Sequence, residues 1–371
     1  MWNSYYSMYG VYALVLILSI LFAFLSQSKH VRSDGVVISK TNLLLFVLSF
    51  AIPWGVIGFT QIGVDYANYE IIINRLDWNN LDDQGDSEYG FNLIAMITKS
   101  LLGGNVHGAI FMIKTITIVC IFISIYWMQD QVNVAFSVMF YLFMMYLPSF
   151  YLLSQSLAAS LVVLVTVFYY RKEKRLLSIT LLFAIGFVHN SVFIYIPFFM
   201  ICAYGKPGKI NIDRLVFLFI IALVFSESVF RLAQTIEGFH YNSYTRSEYA
   251  GSGLALYVWS AIMMFLTYQM YKNDFDTKRR SFLVYFAVSI CLFRLLGMNF
   301  DVISRMELDF IIVYIILIPA YLRFHRETRK DSILYATILL FMLYNGYHVM
   351  TSRIGSSFSM MNYYIPFNPF Q

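Results

Sequence analysis

Apolar runs, each closed by a short polar or charged stretch, recur from one end of the chain to the other. They cover Met8 to Leu25, Asn42 to Thr60, Val106 to Met128, Val134 to Leu147 extended by Pro148, and Leu152 to Tyr170 in the first half. In the second half they cover Leu215 to Ala233, Gly253 to Tyr271, Ser281 to Met298, Met306 to Leu322 and Ser332 to Met350. About 30 Å of hydrocarbon takes roughly 20 helical residues, so these ten segments are expected to be transmembrane helices. No small-residue cleavage site follows the first run, which therefore reads as a retained span and not as a removed signal peptide.

Composition agrees. The 371 residues are 59% hydrophobic and 13% charged, against about 25% charged in soluble domains. A single all-α, polytopic transmembrane domain over residues 1–371 is expected, with no separate soluble domain.

Charge then orients the spans, because cytoplasmic loops hold the excess of lysine and arginine. Five loops (Lys29 to Lys40, Arg171 to Arg175, Lys206 to Arg214, Lys272 to Arg280 and Arg323 to Lys330) hold 18 of the 26 basic residues and are assigned to the cytoplasm. Residues 61–90 are the opposite: seven carboxylates (Asp65, Glu70, Asp77, Asp82, Asp83, Asp86, Glu88) against Arg75 alone, an acidic outward loop. Both termini fall outside. The net charge of +5 is this inner-loop bias and implies no nucleic acid partner.

Parity singles out residues 176–204. Both flanks are basic and belong on one side, yet the segment is too short for two crossings. A re-entrant helical hairpin resolves the conflict. Its break is expected at His189-Asn190-Ser191, with Asn190 or Ser191 capping the second half, and it forms a natural anion site at a half-helix N-terminus. The plain alternative is one long tilted helix with His189 bonded inside the bundle.

Candidate chemistry gathers on the outward side. Asp65 stands with Tyr66 and Tyr69 at the mouth of a helix, and Arg75, Arg231, Arg246, Arg294 and Arg305 all map near the outer surface. Guanidinium forks bind phosphoryl oxygens bidentately, and tyrosines offer flat faces and a hydroxyl to sugar rings. A lipid-linked sugar pyrophosphate suits such a surface. Ion pairing is the competing reading for Arg231 with Glu227 and for Arg305 with Asp301 and Asp309. Lys114, inside a span, either snorkels or pairs with Glu227.

Signals for other chemistry are poor. Asp274-Phe275-Asp276 lies in a basic loop, the six histidines lack ligand spacing, and Cys120, Cys202 and Cys291 sit singly in apolar segments. No metal and no cofactor are expected.

Gly63-x-Asp65-Tyr66-x-x-Tyr69, Glu88-Tyr89-Gly90-Phe91, His189-x-Ser191 followed by Pro197, Ser304-Arg305 with Pro319, and a tail ending Ile365-Pro366-Phe367 occur in that order. In this order they resemble the EpsG-like family of Wzy-type polysaccharide (O-antigen) polymerases over nearly the whole chain. The chain departs from the family pattern at Thr60-Gln61 and at Ser154-Gln155-Ser156-Leu157-Ala158, where arginines are usual.

The resemblance implies a helical fold related to the GT-C glycosyltransferases, in a bacterial inner membrane with its site facing the periplasm or exterior. It also implies a metal-independent glycosyltransferase of O-antigen, capsule or exopolysaccharide synthesis. The growing glycan would pass from undecaprenyl pyrophosphate to a sugar hydroxyl of another lipid-linked repeat unit, and a chain-length regulator is an expected partner. Asp65 or His189 would serve the acceptor hydroxyl and Arg305, with Arg294, the pyrophosphate. Tyr66, Tyr69, Arg75, Glu88, Ser191 and Arg246 would bind substrate. Two rivals share the donor: a flippase or transporter of the same lipid-linked sugars, and an O-antigen ligase.

Overall fold

The computed structural model describes residues 4–31, 37–59, 65–79, 88–204, 261–269, 277–296 and 306–328, with a few positions between 336 and 344. Its elements divide into two compact units, Met1–Phe193 with Tyr314–Gln371, and Ile194–Val313.

In the first unit α1 (Ser4–Ser26) runs into a two-stranded antiparallel ribbon, β1 (Gln27–Val31) and β2 (Val37–Thr41), paired from Gln27↔Thr41 to Val31↔Val37. This ribbon occupies the first predicted cytoplasmic loop and is an addition to the all-helical expectation. Next come α2 (Leu43–Gly58), α3 (Tyr66–Arg75), α4 (Tyr89–Leu101), α5 (Val106–Trp127), α6 (Val134–Tyr141), α7 (Leu153–Lys172) and α8 (Arg175–Gly186). Asparagine starts three of them: Asn42, Asn105 and Asn133 accept from the backbone N–H of Leu45 (3.2 Å), Gly108 (2.9 Å) and Phe136 (3.2 Å). Each satisfies a donor that the first helical turn leaves open.

The centre of this unit is α5 packed on α7. Ala109, Ile113, Ile121 and Ile125 of α5 and Leu157, Ala158, Val162 and Val163 of α7 are fully buried. The small residues let the two backbones approach closely, as interfaces between membrane helices require. By contrast α1, α2 and α8 expose Ile17, Phe24, Leu44, Leu176 and Phe183, an apolar surface that suits hydrocarbon and not water.

Among the described residues, Val106–Trp127 and Leu153–Lys172 are long and apolar enough to cross a membrane, with mean hydropathies of 2.3 and 1.6. Shorter apolar helices cover Gly10–Ser26, Leu43–Gly58, Val134–Tyr146 and Val192–Tyr204. The predicted span from Val134 is interrupted: α6 passes into a π-turn at Leu142–Tyr146 and a 3₁₀ turn at Pro148–Phe150 before α7 begins. Pro148 explains the break, because proline takes no part as a donor and clashes with the preceding turn. The spans Leu215 to Ala233 and most of Gly253 to Tyr271 and Ser332 to Met350 lie outside the described residues.

One end of this unit collects basic side chains. Arg171, in the last turn of α7, pairs with Asp130 and donates to the Trp127 carbonyl, while Arg323 of α11 (Ile318–Thr328) donates to the carbonyls of Gln129 (2.9 Å) and Val132 (3.3 Å). The Thr41 N–H donates to the Gln129 side chain at 3.1 Å. Three segments assigned to the same side by charge therefore converge on one turn between α5 and α6.

The second unit holds the rest of α9 (Val192–Tyr204), α10 (Thr277–Leu296) and a 3₁₀ turn at Met306–Phe310. Its core is aromatic: Tyr195, Phe286 and Phe310 meet with ring centroids 4.9 to 5.3 Å apart.

Candidate active site

Residues 61–90, expected as a loop, carry α3 within them, and this helix organises the site. Its C-terminal carbonyls would be orphans at the last turn. Lys99 of α4 donates to three backbone carbonyls there, Ile73 and Asn74 at 2.9 Å and Leu76 at 3.1 Å. A cation at a helix C-terminus is also favoured by the helix dipole.

The break between α8 and α9 falls at 187–191, where the sequence places it. Phe193 folds back over the end of α8: its ring lies 5.7 Å from Phe187 and 6.2 Å from Phe183, and a Cβ on Gly186 would come within 2.6 Å of it. In a continuous helix Phe183 and Phe193 would stand about 15 Å apart along the axis, so the chain bends sharply here. Ser191 is no cap, contrary to one of the two expected options: its Oγ is buried without a hydrogen-bond partner.

The motif Glu88-Tyr89-Gly90-Phe91 docks on this break. Gly90 N–H donates to the Phe187 carbonyl at 2.7 Å, and a Cβ at Gly90 would stand 2.7 Å from that carbonyl's carbon and oxygen. Only glycine permits the approach. Glu88 occupies the N-cap position of α4 in extended conformation without capping it, which leaves its carboxylate for other partners. It pairs with Nδ1 of His189 and accepts from the Asn190 N–H at 3.2 Å.

From His189 the polar chain continues. Ser154 Oγ, at the start of α7, lies 3.4 Å from His189 Nδ1 and 3.4 Å from Tyr69 Oη, and the Ser154 N–H faces the same phenol at 3.4 Å. Contacts of this length are loose, as catalytic hydrogen bonds often are before substrate arrives. Phe91 backs Tyr69, with centroids 5.5 Å apart. Burial raises the Tyr69 phenol above its ordinary range, with the Glu88 and Asp65 charges adding to it and the Ser154 bonds opposing.

Asp65 occupies the N-cap position of α3 without capping it; its carboxylate lies 3.5 Å from Asn68 Nδ2. Tyr66 has a different partner, its hydroxyl lying 2.9 Å from His107 Nδ1 on α5. Arg75 is exposed in the last turn of α3, roughly 15 Å along the axis from Asp65. Lys114 does not snorkel: it is buried, with Nζ 3.3 Å from the Ile57 carbonyl and 5.2 Å from the Tyr66 ring centre. Thr60-Gln61, Arg246, Arg305 and Glu227 lie outside the described residues; Arg294 is on α10, in the second unit.

The structure thus joins Glu88, Tyr69 and His189, which are far apart in sequence, and adds Ser154 and His107. Ser154 opens the stretch noted for its missing arginine, a usable signal. His107 had none, since its partners are 37 to 41 residues away.

These features define a class: a helical membrane protein with a carboxylate–imidazole–hydroxyl–phenol chain at a broken helix, at the end of α7 opposite its basic residues. A sequence model of the EpsG family matches residues 43–366, nearly the whole chain, and the protein belongs to that family. Membership places it among polysaccharide-polymerase-like membrane proteins. No curated protein and no solved structure matches the chain.

Proposed function

We propose that the protein is a metal-independent polymerase that joins lipid-linked saccharide repeat units at the outer face of the bacterial cytoplasmic membrane. The observation that carries the reading is the contact of Glu88 with His189 Nδ1 at the helix break. A carboxylate on one imidazole nitrogen fixes the hydrogen there and leaves the lone pair on Nε2, the arrangement of an oriented general base.

In this reading Nε2 of His189 takes the proton of an acceptor sugar hydroxyl. The hydroxyl oxygen bonds to the anomeric carbon of the donor glycan, and the bond from that carbon to pyrophosphate breaks. Undecaprenyl pyrophosphate leaves with the electron pair. Asp65 and Tyr69 hold the acceptor, Ser154 steadies the imidazole, and Arg294, Arg305 and Arg246 neutralise the pyrophosphate. The hairpin reading of residues 176–204 sets His189 in the outer half of the bilayer, and the inward backbone at the break is tolerated because it faces protein.

Cells carrying His189→Ala, Asp65→Asn or Arg305→Ala are expected to insert the protein and to make single lipid-linked repeats in place of polymer. A general base contributes about 10² to 10⁴ in rate, so His189→Ala leaves almost no long chains. Long chains persisting in all three variants would defeat the assignment; repeats trapped in the cytoplasmic leaflet of a null strain would point to a flippase.

A further inference from the structure

A second polar cluster lies beside the Glu88–His189 chain, on the neighbouring stripe of α3. Tyr66 and Glu70 are one helical turn apart and both face His107 of α5. Tyr66 Oη is 2.9 Å from Nδ1, Glu70 Oε1 is 3.7 Å from Nε2, and the Tyr66 and His107 rings stack with centroids 6.1 Å apart and planes 14° off parallel. Tyr66 is buried, whereas the side chains of His107 and Glu70 keep 32% and 45% of their surface exposed. Lys114, on the next turns of α5, closes the inner side of the Tyr66 ring.

The proton inventory of this cluster is one-sided. With Nε2 turned to a carboxylate, the imidazole hydrogen belongs on Nε2 and Nδ1 is an acceptor. The Tyr66 hydroxyl then donates inward to Nδ1, consistent with burial and the Glu70 charge raising its phenol. What the cluster offers is acceptors: the exposed Glu70 carboxylate and, at its inner edge, the Tyr66 oxygen lone pairs. An anionic, acceptor-rich edge repels pyrophosphate and suits a ligand that brings hydroxyl donors and a flat apolar ring face.

We propose that Tyr66, Glu70 and His107 form a saccharide-binding edge for a hydroxyl-bearing sugar ring, beside the Glu88–His189 chain along α3. The proposal rests on the polymerase reading, in which two glycans must lie side by side, and it seats one of them on the Tyr66–Glu70 stripe of α3, next to Tyr69. His107 is a positioning residue: it aims the Tyr66 hydroxyl inward and leaves the oxygen to the sugar.

The test uses full-length protein in lipid nanodiscs and, as probe, the oligosaccharide released from the lipid-linked repeat unit by mild acid, free of lipid and phosphate. Loss of one hydrogen bond to a charged acceptor costs about 1.5 to 3 kcal/mol, so Glu70→Gln is expected to weaken probe binding at least tenfold. Tyr66→Phe, which removes one oxygen, and His107→Gln are expected to weaken it in the same direction, on KM more than on kcat in elongation. Inhibition by inorganic pyrophosphate is expected to be unchanged. Probe affinity unchanged in Glu70→Gln and Tyr66→Phe overturns the edge, as does no probe binding by the wild type. Wild-type protein that binds the probe without elongating lipid-linked repeats sustains the edge and rejects the polymerase.

Discussion

At the scale of single residues, His189 is defined by what touches it: Glu88 on Nδ1, with Ser154 Oγ at 3.4 Å. Ser154→Ala removes a loose neutral contact, worth about 1 kcal/mol, and is expected to slow elongation roughly fivefold to tenfold. Glu88→Gln keeps the shape but loses the charge that orients the imidazole, and is expected to cost far more in the same rate assay. The tyrosines give a pH prediction. Tyr66 and Tyr69 are both raised above the ordinary phenol value, so the fold holds their protons more tightly than the unfolded chain does. The stability this contributes is complete below about pH 10 and is lost as pH rises beyond it. Denaturation of Tyr66→Phe, followed across that range, should show a shallower fall than wild type. The candidate residues were legible as a carboxylate beside two phenols at a helix mouth and an imidazole at membrane depth, where it is costly; their pairing was not, since Tyr69 and Ser154 are 85 positions apart.

At the scale of elements, the site depends on how α3, α4 and the α8–α9 break are held. Gly90 is the tightest point. Gly90→Ala adds one methyl 2.7 Å from the Phe187 backbone carbonyl, which has no flexible end to move aside. It should push α4 off the break, remove the 2.7 Å hydrogen bond and abolish elongation while every polar site residue is intact. Lys99→Met withdraws three hydrogen bonds from the end of α3; hydrogen exchange on α3 amides should quicken tenfold or more, with α5 unchanged. Apolar periodicity and length revealed α5 and α7 directly, because a membrane span is written in its own composition. The short amphipathic α3 was hidden: ten residues with mixed polarity form a helix only when something packs on it and caps it, and the capping lysine comes from the next helix. The break at 187–191 was inferred from charge parity, a property of the flanks and not of the break itself.

At the scale of the whole molecule, the account needs the acidic site and the basic loops on opposite membrane faces. Arg171 and Arg323 meet at one turn, and Ser154, at the other end of α7, belongs to the site. In a background lacking Cys120, Cys202 and Cys291, a cysteine at position 107 should label from outside, and cysteines at Lys172 and Lys209 only after the membrane is opened. Labelling of Lys209→Cys from outside would rule out the re-entrant hairpin. The helical membrane character was readable from hydropathy, while the count of ten spans, their orientation and the Arg246 and Arg305 part of the proposed site are carried by sequence alone. The most direct measurement of the central claim is elongation by purified protein given a lipid-linked repeat unit and no other enzyme, read as chain length on a gel. The account predicts a ladder of polymer for the wild type and single repeats for His189→Ala; single repeats from both, or equal ladders from both, would contradict it.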